Sequence, residues 1–224
     1  MIELLRRAQT RLPGLSAFEV MWESYVRFNE EAEGIRHFAE RPALSVIVEQ
    51  QGSAEDAGRF ETFLADALED AVIDDALIAQ SEKERDSFWR IREGHQMDRL
   101  LPQMVNLDVS MAIGALGDFA DSCGQRLAQR FPGAHVSFYG HMSDGNLHVA
   151  FSAPGATAQD LTEVSHITYD LVRYYGGSIS AEHGIGTLKR PYLHYSRSEA
   201  EIGLMRRIKS VLDPGNILNP GKVI

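Results

Sequence analysis

The chain has 224 residues, of which 44% are hydrophobic and 24% charged, and its formal net charge is −10 at pH 7. These values are typical of a globular domain with its own core, and the negative charge argues against nucleic-acid binding, which needs a basic surface. No apolar run approaches the roughly 20 residues of a membrane-spanning helix, and the amphipathic start lacks a signal-peptide core. The single cysteine, Cys123, cannot form an internal disulfide, so we expect a buried free thiol in a reducing compartment.

The first hundred residues alternate between predicted helices and predicted strands. Helices are predicted where apolar residues recur at helical spacing or where a polar cap such as Ser53 precedes the run. They cover residues 1–12, 17–31, 54–68 and 83–100. Strands are predicted over residues 43–50 and 72–80, and the first has the β-branched residues typical of a core strand. This order indicates an α+β sandwich.

The helix predicted over residues 83–100 carries Trp89 and Arg92 on one face, three residues apart. Arginine presents a planar fork that matches a carboxylate, so Arg92 is a candidate anchor for an acidic substrate. From the residues alone, the plainer interpretation is favoured, in which Arg92 forms a surface ion pair with Glu82 or Glu93.

The second half of the chain continues the alternation. Strands are predicted over residues 106–113 and 178–180, helices over residues 115–131, 157–175 and 198–212, and an irregular tail over residues 213–224.

Residues 135–151, HVSFYGHMSDGNLHVAF, predict a β-hairpin, because alternating residues flank an Asp-Gly pair. With residues 142–145 as the loop, His141 and His148 lie one diagonal step apart on one face, roughly 7–8 Å at the backbone. Two imidazoles at that separation can converge on one metal ion. The alternative is that both are hydrogen-bonded strand residues, and the spacing leaves both interpretations open.

Residues 180–189, SAEHGIGTLK, add Glu182 and His183. Two histidines and one carboxylate are a common ligand set for a catalytic divalent metal. Adjacent strand residues point to opposite faces, so Glu182 and His183 can serve one site only if the backbone turns, which Gly184 and Gly186 permit.

Three motifs, GHMSDGNLH, SAEHGIGTLKR and DPGNILNPGK, resemble the signatures of the C-terminal domain of FAD-linked D-2-hydroxy-acid dehydrogenases and oxidases. That family includes D-lactate dehydrogenases, glycolate oxidase subunits and D-2-hydroxyglutarate dehydrogenases, and is related to vanillyl-alcohol oxidase. The resemblance implies an α+β fold, a ferredoxin-like antiparallel sheet flanked by helices. It also implies a single domain with a helical lead-in (1–40), an α+β core (41–197) and a C-terminal helix and tail (198–224).

The resemblance implies a role for each candidate residue. His141, His148 and Glu182 would hold a divalent metal, zinc or manganese, and His183 would accept the substrate proton as the catalytic base.

For the substrate and the cofactor, the resemblance assigns Arg92 to the substrate carboxylate, and Asn146 to the substrate or to the support of the metal ligands. Asn219 and Lys222 would contact the FAD, and Lys189 would lie near the substrate or the flavin edge. A structural salt bridge or loop anchor is an equally good interpretation of Lys189, Asn219 and Lys222.

The sequence departs from the family pattern at three positions. Asn106 stands where a lysine is usual, which removes a charge for a second substrate carboxylate and favours a small monocarboxylate over 2-hydroxyglutarate. Ala112 replaces a usual proline, and Ser143 a usual glycine, although serine also fits a type I turn. His95 matches no family role, and we expect it to be structural.

We therefore expect the substrate- and metal-binding half of an FAD-dependent dehydrogenase that oxidises a D-2-hydroxy acid, lactate or glycolate in type. No dinucleotide-binding G-x-G-x-x-G or Walker A motif occurs. The resemblance implies that FAD binds mainly to a separate N-terminal domain, in cis or in trans. This chain alone would be inactive, either as a truncation or as a natural subunit.

We expect a cytoplasmic homo-oligomer, with peripheral attachment to the inner membrane as the alternative location. The electron acceptor is not indicated. Two other functions stay open: a metal-dependent hydrolase that uses the same ligands, and a non-catalytic metal-binding or assembly subunit.

Overall fold

The structure, a computed structural model, describes residues 1–94 and 96–224, so the prediction for His95 lies outside the described residues. The described residues form two compact units. The first unit comprises Met1–Pro102 and Ser137–Asp144, and the second comprises Gln103–Val136 and Gly145–Ile224.

The strands are antiparallel to their partners and confirm the predicted α+β class. They are β1 (Leu15–Trp22), β2 (Leu44–Gln50), β3 (Val105–Ser110), β4 (His135–His141) and β5 (Asn146–Ser152). Among the residues described, the strand order is β2-β1-β4 in the first unit, and β5 lies beside β3 in the second. In the first unit β1 pairs with both β2 and β4, and in the second unit β3 pairs with β5.

The helices flank these strands. They are α1 (Ile2–Arg11), α2 (Glu23–Glu33), α3 (Ala54–Glu69), α4 (Glu82–Glu93), α5 (Gln96–Leu100), α6 (Leu116–Arg130), α7 (Ala158–Tyr174) and α8 (Glu199–Leu212). Capping boxes begin α3, α7 and α8, where the N-cap residue and the side chain three positions later bond each other's backbone N–H groups. The predicted Ser53 cap of α3 is thereby confirmed.

The prediction of one helix over residues 17–31 is wrong in its first part. Residues Leu15–Trp22 form β1, and α2 begins only at Glu23. Phe18, Val20 and Met21 are buried, and β1 is hydrogen-bonded along both edges by β2 and β4. Pairing on both sides outweighs the local helical spacing of the apolar residues.

Two further predictions in the first unit are corrected. The strand predicted over residues 72–80 does not form. This segment is irregular, it pairs with no strand among the described residues, and its Leu77 and Ile78 are exposed. The helix predicted over residues 83–100 is divided into α4 and α5 after Glu93. In addition, β2 is an edge strand that is half-buried along its whole length, so it is not the core strand that its composition predicts.

In the second unit, α6, α7, α8, β3 and the hairpin strands follow their predictions to within a few residues. The predicted strand over residues 178–180 is reduced to a single bridge between Ser178 and Ser110. Cys123 is buried in α6, as predicted, and burial raises the pKa of its thiol to about 12. No helix in the described part of the chain is both long and apolar enough to cross a lipid bilayer.

Candidate active site

The two hairpin histidines lie where the sequence predicts them. His141 ends β4 and His148 lies in β5, with a 3-10 turn of residues Met142–Asp144 between the strands. Gly145 completes this turn with a φ of +75°, and a Cβ there would lie 2.2 Å from the carbonyl oxygen of Met111. Only glycine combines this backbone angle with so close an approach.

In the first unit, a buried carboxylate holds His141. The register of β1 and β4 places Glu19 opposite His141, and Glu19 Oε1 lies 2.5 Å from His141 Nδ1. A carboxylate beside a cation is ionised and can only accept, so the histidine proton is assigned to Nδ1. The lone pair of His141 then lies on Nε2, the atom that a metal would bind.

The same carboxylate binds Arg92. Arg92 Nε donates to Glu19 Oε2 at 2.8 Å, and the side chains are only 10% and 5% exposed. The guanidinium carbon lies 4.9 Å from the centre of the Tyr139 ring. The expected ion pair of Arg92 therefore exists, but its partner is buried Glu19 and not Glu82 or Glu93.

Electrostatics keep Glu19 charged. Burial raises the pKa of its carboxyl, but the hydrogen bond from His141 and the positive charge of Arg92 together lower it by more. The net pKa lies below the ordinary value, so Glu19 is a carboxylate that fixes both side chains.

In the second unit, the equivalent anchor is Asp108 of β3, which is fully buried. Its Oδ2 accepts the backbone N–H groups of Ala181, Glu182 and His183 at 2.9, 2.8 and 2.9 Å. The backbone therefore turns around this carboxylate, as the sequence requires if both neighbouring side chains are to serve one site. Gly184 continues the turn with a φ of +69°.

The other oxygen of Asp108 faces two cationic or polar partners. Oδ1 lies 3.1 Å from His183 Nδ1 and forms a salt bridge with Lys189, whose side chain is 12% exposed. Burial raises the pKa of Asp108, but the bonds from Lys189 and the backbone N–H groups of His183 and Glu182 outweigh it and hold the pKa well below its usual range. This salt bridge favours the structural interpretation of Lys189.

Glu182 and His148 lie together in the second unit. Glu182 Oε1 accepts a hydrogen bond of 2.6 Å from Asn146 Nδ2, and Glu182 Oε2 lies 3.7 Å from His148 Nε2. His148 and Asn146 are buried, and the ring centres of His148 and His183 are 5.9 Å apart. The second unit thus brings together four of the predicted site residues.

The C-terminal tail returns to the glycine-rich turn. Val223 donates its backbone N–H to the carbonyl oxygen of Gly186 at 2.9 Å, and Lys222 Nζ donates to Asn219 Oδ1 at 3.3 Å. These contacts fit a loop anchor. The predicted contact of Asn219 and Lys222 with FAD stays a prediction.

Sequence reasoning missed Glu19 and Asp108, the two carboxylates on which the site residues are held. Each interrupts an apolar strand, Glu19 in AFEVM and Asp108 in NLDVS, and a buried charge needs a partner. That signal was available for Asp108. For Glu19 it was hidden, because its segment was predicted to be helical.

Comparison with known proteins identifies a family with this sequence. Residues 1–223 match the model of a family described as FAD linked oxidases, C-terminal domain.

Curated relatives are similar over most of this chain. A D-2-hydroxyglutarate dehydrogenase of Xanthomonas citri pv. viticola is 35% identical over 226 residues, which cover 97% of this chain and 47% of that protein. A protein of Schizosaccharomyces pombe with the provisional name of a mitochondrial D-lactate dehydrogenase is 32% identical over 223 residues, covering 94% of this chain and 42% of that protein. The chain spans less than half the length of these two relatives.

Solved structures share the fold. An alkyldihydroxyacetonephosphate synthase structure superposes with a TM-score of 0.56 at 16% sequence identity, covering 98% of this chain and 41% of that one. At this identity the likeness concerns the fold alone.

Proposed function

Because the chain belongs to the family of FAD linked oxidase C-terminal domains, we propose that it is the substrate- and metal-binding part of a flavin-dependent dehydrogenase. The reaction would oxidise a D-2-hydroxy acid to the 2-keto acid, with FAD held mainly by a flavin-binding domain in cis or in trans. The observation that carries the proposal is the cluster of His148, Glu182 and His183 next to the buried carboxylate of Asp108.

His141, His148 and Glu182 would hold one divalent metal ion, zinc or manganese. Two imidazoles and one carboxylate are suitable donors for such an ion. The 3.7 Å between His148 Nε2 and Glu182 Oε2 is close to the roughly 3.4 Å that separates two ligand atoms of a tetrahedral zinc ion. Asn146 and Glu19 would orient Glu182 and His141 through hydrogen bonds, as partners of metal ligands commonly do.

The other residues would bind the substrate and move its proton. When bound, the metal would polarise the substrate oxygens, and the flavin would take the C2 hydrogen with two electrons. Arg92 would hold the substrate carboxylate, with its own position fixed by Glu19. His183 would accept the hydroxyl proton as the carbonyl forms, so the substrate loses one proton and one hydride.

The chemical identity of the acid is the finer part of the proposal. Asn106 in β3 supports a small monocarboxylate, because it supplies no positive charge for a second carboxylate. The name of the Xanthomonas relative supports 2-hydroxyglutarate instead. Steady-state rates with D-lactate, glycolate and D-2-hydroxyglutarate decide between them, and we expect Asn106→Lys to raise kcat/KM for the dicarboxylate only.

The central test uses the chain together with its flavin-binding domain, a divalent metal and a D-2-hydroxy acid. We expect the acid to bleach the flavin absorbance under anaerobic conditions. His183→Ala should slow this reduction by at least about 10²-fold, because it removes the proton acceptor, and should leave the metal content unchanged. Elemental analysis of the purified protein measures that content.

The matched control is His166→Ala, which removes a histidine bonded to Tyr195 on the exposed side of α7. It should change neither the reduction rate nor the metal content. If His183→Ala empties the metal site, the division of roles between His183 and the three ligands is wrong.

Two alternatives give different results. Turnover of esters or peptides by the metal-loaded chain without flavin would favour a hydrolase. Absence of bleaching with every acid, while metal stays bound, would favour an assembly subunit.

A further inference from the structure

We propose that Asp108 is a positioning residue that keeps the His183 proton on Nδ1 and so directs Nε2 to the substrate hydroxyl. This inference rests on the proposed role of His183 as proton acceptor and names the group that makes it competent.

The first support is the backbone around Asp108. In a regular strand, successive N–H groups point to alternate sides, but those of Ala181, Glu182 and His183 all donate to the single atom Oδ2. Ser180 Oγ donates to the same oxygen at 3.2 Å. One carboxylate therefore holds the backbone turn that places Glu182 and His183 side by side.

The second support is the contact with the imidazole. Asp108 Oδ1 lies 3.1 Å from His183 Nδ1, and the carboxylate has no side-chain exposure. An ionised carboxylate only accepts hydrogen bonds, so at this distance it favours the tautomer of a neutral His183 that carries the proton on Nδ1. Its lone pair then lies on Nε2, and the side chain is 53% exposed, so a ligand can reach it.

Lys189 completes the arrangement. Its ammonium binds Asp108 Oδ1 and lies 3.2 Å from Ser180 Oγ, which keeps the buried carboxylate charged. An ionised acceptor holds an imidazole N–H about twice as strongly as a neutral one. The arrangement resembles the orienting carboxylate behind the histidine of hydrolytic triads, here used for proton abstraction from a hydroxyl.

The proposal can be tested directly by determining which nitrogen of His183 carries the proton in the wild-type chain. The full chain is labelled with ¹⁵N-histidine, loaded with Zn²⁺, and studied by long-range ¹H–¹⁵N correlation NMR. His183→Gln identifies the correlation of His183 among those of the eight histidines by its loss. We expect the neutral form with the proton on Nδ1. A proton on Nε2 would overturn the proposal without any further variant.

A variant pair then separates positioning from general support. Asp108→Asn keeps the shape but removes the charge, and we expect it to shift the His183 tautomer toward Nε2–H and to lower kcat by about 10–100-fold with a much smaller change in KM. Asp213→Asn is the matched control, because Asp213 is also buried, binds Lys209, and accepts the backbone N–H groups of Ile217 and Leu218.

Asp213→Asn should leave both the tautomer and kcat unchanged. Equal effects of the two variants on kcat, or an unchanged His183 tautomer in Asp108→Asn, would overturn the positioning role. The NMR result needs neither flavin nor substrate. If no D-2-hydroxy acid reduces the flavin while His183 carries its proton on Nδ1, the proposed function fails and the positioning role of Asp108 stands.

Discussion

At the scale of single residues, two buried carboxylates hold candidate site residues, each within its own unit. Glu19 fixes His141 and Arg92 in the first unit, and Asp108 fixes His183 and the backbone before it in the second. In each case the carboxylate keeps its charge because cations and N–H donors offset the cost of burial. Neither carboxylate is among the predicted ligands, yet both determine which nitrogen of an imidazole is available.

A first prediction concerns the charge of Glu19. Glu19→Gln leaves Arg92 buried without its anion, and loss of one partner of a buried pair costs about 3 kcal/mol of unfolding free energy. Urea unfolding at pH 7 measures the loss. The matched change is Glu163→Gln, whose carboxylate bonds Arg130 at 2.6 Å but is 39% exposed. That variant should lose much less, because an exposed ion pair is screened by solvent, and equal losses would contradict the prediction.

The candidate ligands and the candidate base can be predicted from the sequence, whereas Glu19 and Asp108, the carboxylates that hold candidate site residues, were missed. The histidines and Glu182 are visible because their spacing matches ligand patterns and family motifs. Their proposed roles stay predictions. The partner of Arg92 could not be found from the sequence, because Glu19 lies 73 residues away and meets Arg92 only through tertiary packing.

At the scale of elements, the turn between β4 and β5 depends on one glycine. Gly145 has positive φ, and its Cα faces the carbonyl oxygen of Met111, whose own N–H bonds the Gly145 carbonyl at 3.0 Å. The turn is therefore fixed both by the backbone angle of Gly145 and by its contacts with the backbone of Met111.

A second prediction separates these two constraints. Gly145→Ala should destabilise the protein by about 1–2 kcal/mol from backbone strain and by about 1–3 kcal/mol more from the clash with Met111. Gly155→Ala is the control, because its φ of +76° matches the +75° of Gly145, while nothing lies within 4 Å of an added Cβ. Thermal or urea unfolding compares the two variants, and equal costs would show that the contact with Met111 is unimportant.

Local signals predicted most elements. The Asp-Gly pair predicts the hairpin, and the polar cap Ser53 predicts the start of α3, because these features are encoded within a few residues. β1 was mispredicted for the opposite reason. Its strand conformation depends on β2 and β4, and residue His141 of β4 is 122 positions from Glu19.

At the scale of the whole molecule, the family predicted from three motifs is confirmed by a match over residues 1–223, and the α+β class is confirmed by the strands and helices. The division into a lead-in, a core and a tail stays a prediction. Motifs identify a family because they are specific, whereas the arrangement of strands in a sheet depends on contacts between distant segments.

A third prediction concerns acid stability. Burial raises the pKa values of Glu19 and Asp108, but hydrogen bonds and nearby cations lower them by more. Both pKa values are therefore below their ordinary values in the folded chain. Such groups stabilise the fold above the unfolded carboxyl pKa of about 4, and this contribution is lost as the pH falls through the lower folded pKa. We expect the unfolding free energy to decrease below about pH 4.

Urea unfolding at several pH values measures the decrease, and Glu19→Gln provides its control. The destabilisation caused by this substitution should be largest at neutral pH and should shrink in acid, where the wild-type carboxyl also becomes protonated. A difference between the two proteins that stays constant down to pH 3 would contradict the assigned pKa direction.

The first unit is discontinuous in the chain, since Ser137–Asp144 joins Met1–Pro102. On the ribosome, β1 would therefore emerge well before the strand that covers its second edge. At about 5–20 residues per second, the 122 positions from Glu19 to His141 correspond to a delay of roughly 6–24 s. During that interval one edge of β1 is a site where a chaperone, or another nascent chain, can pair.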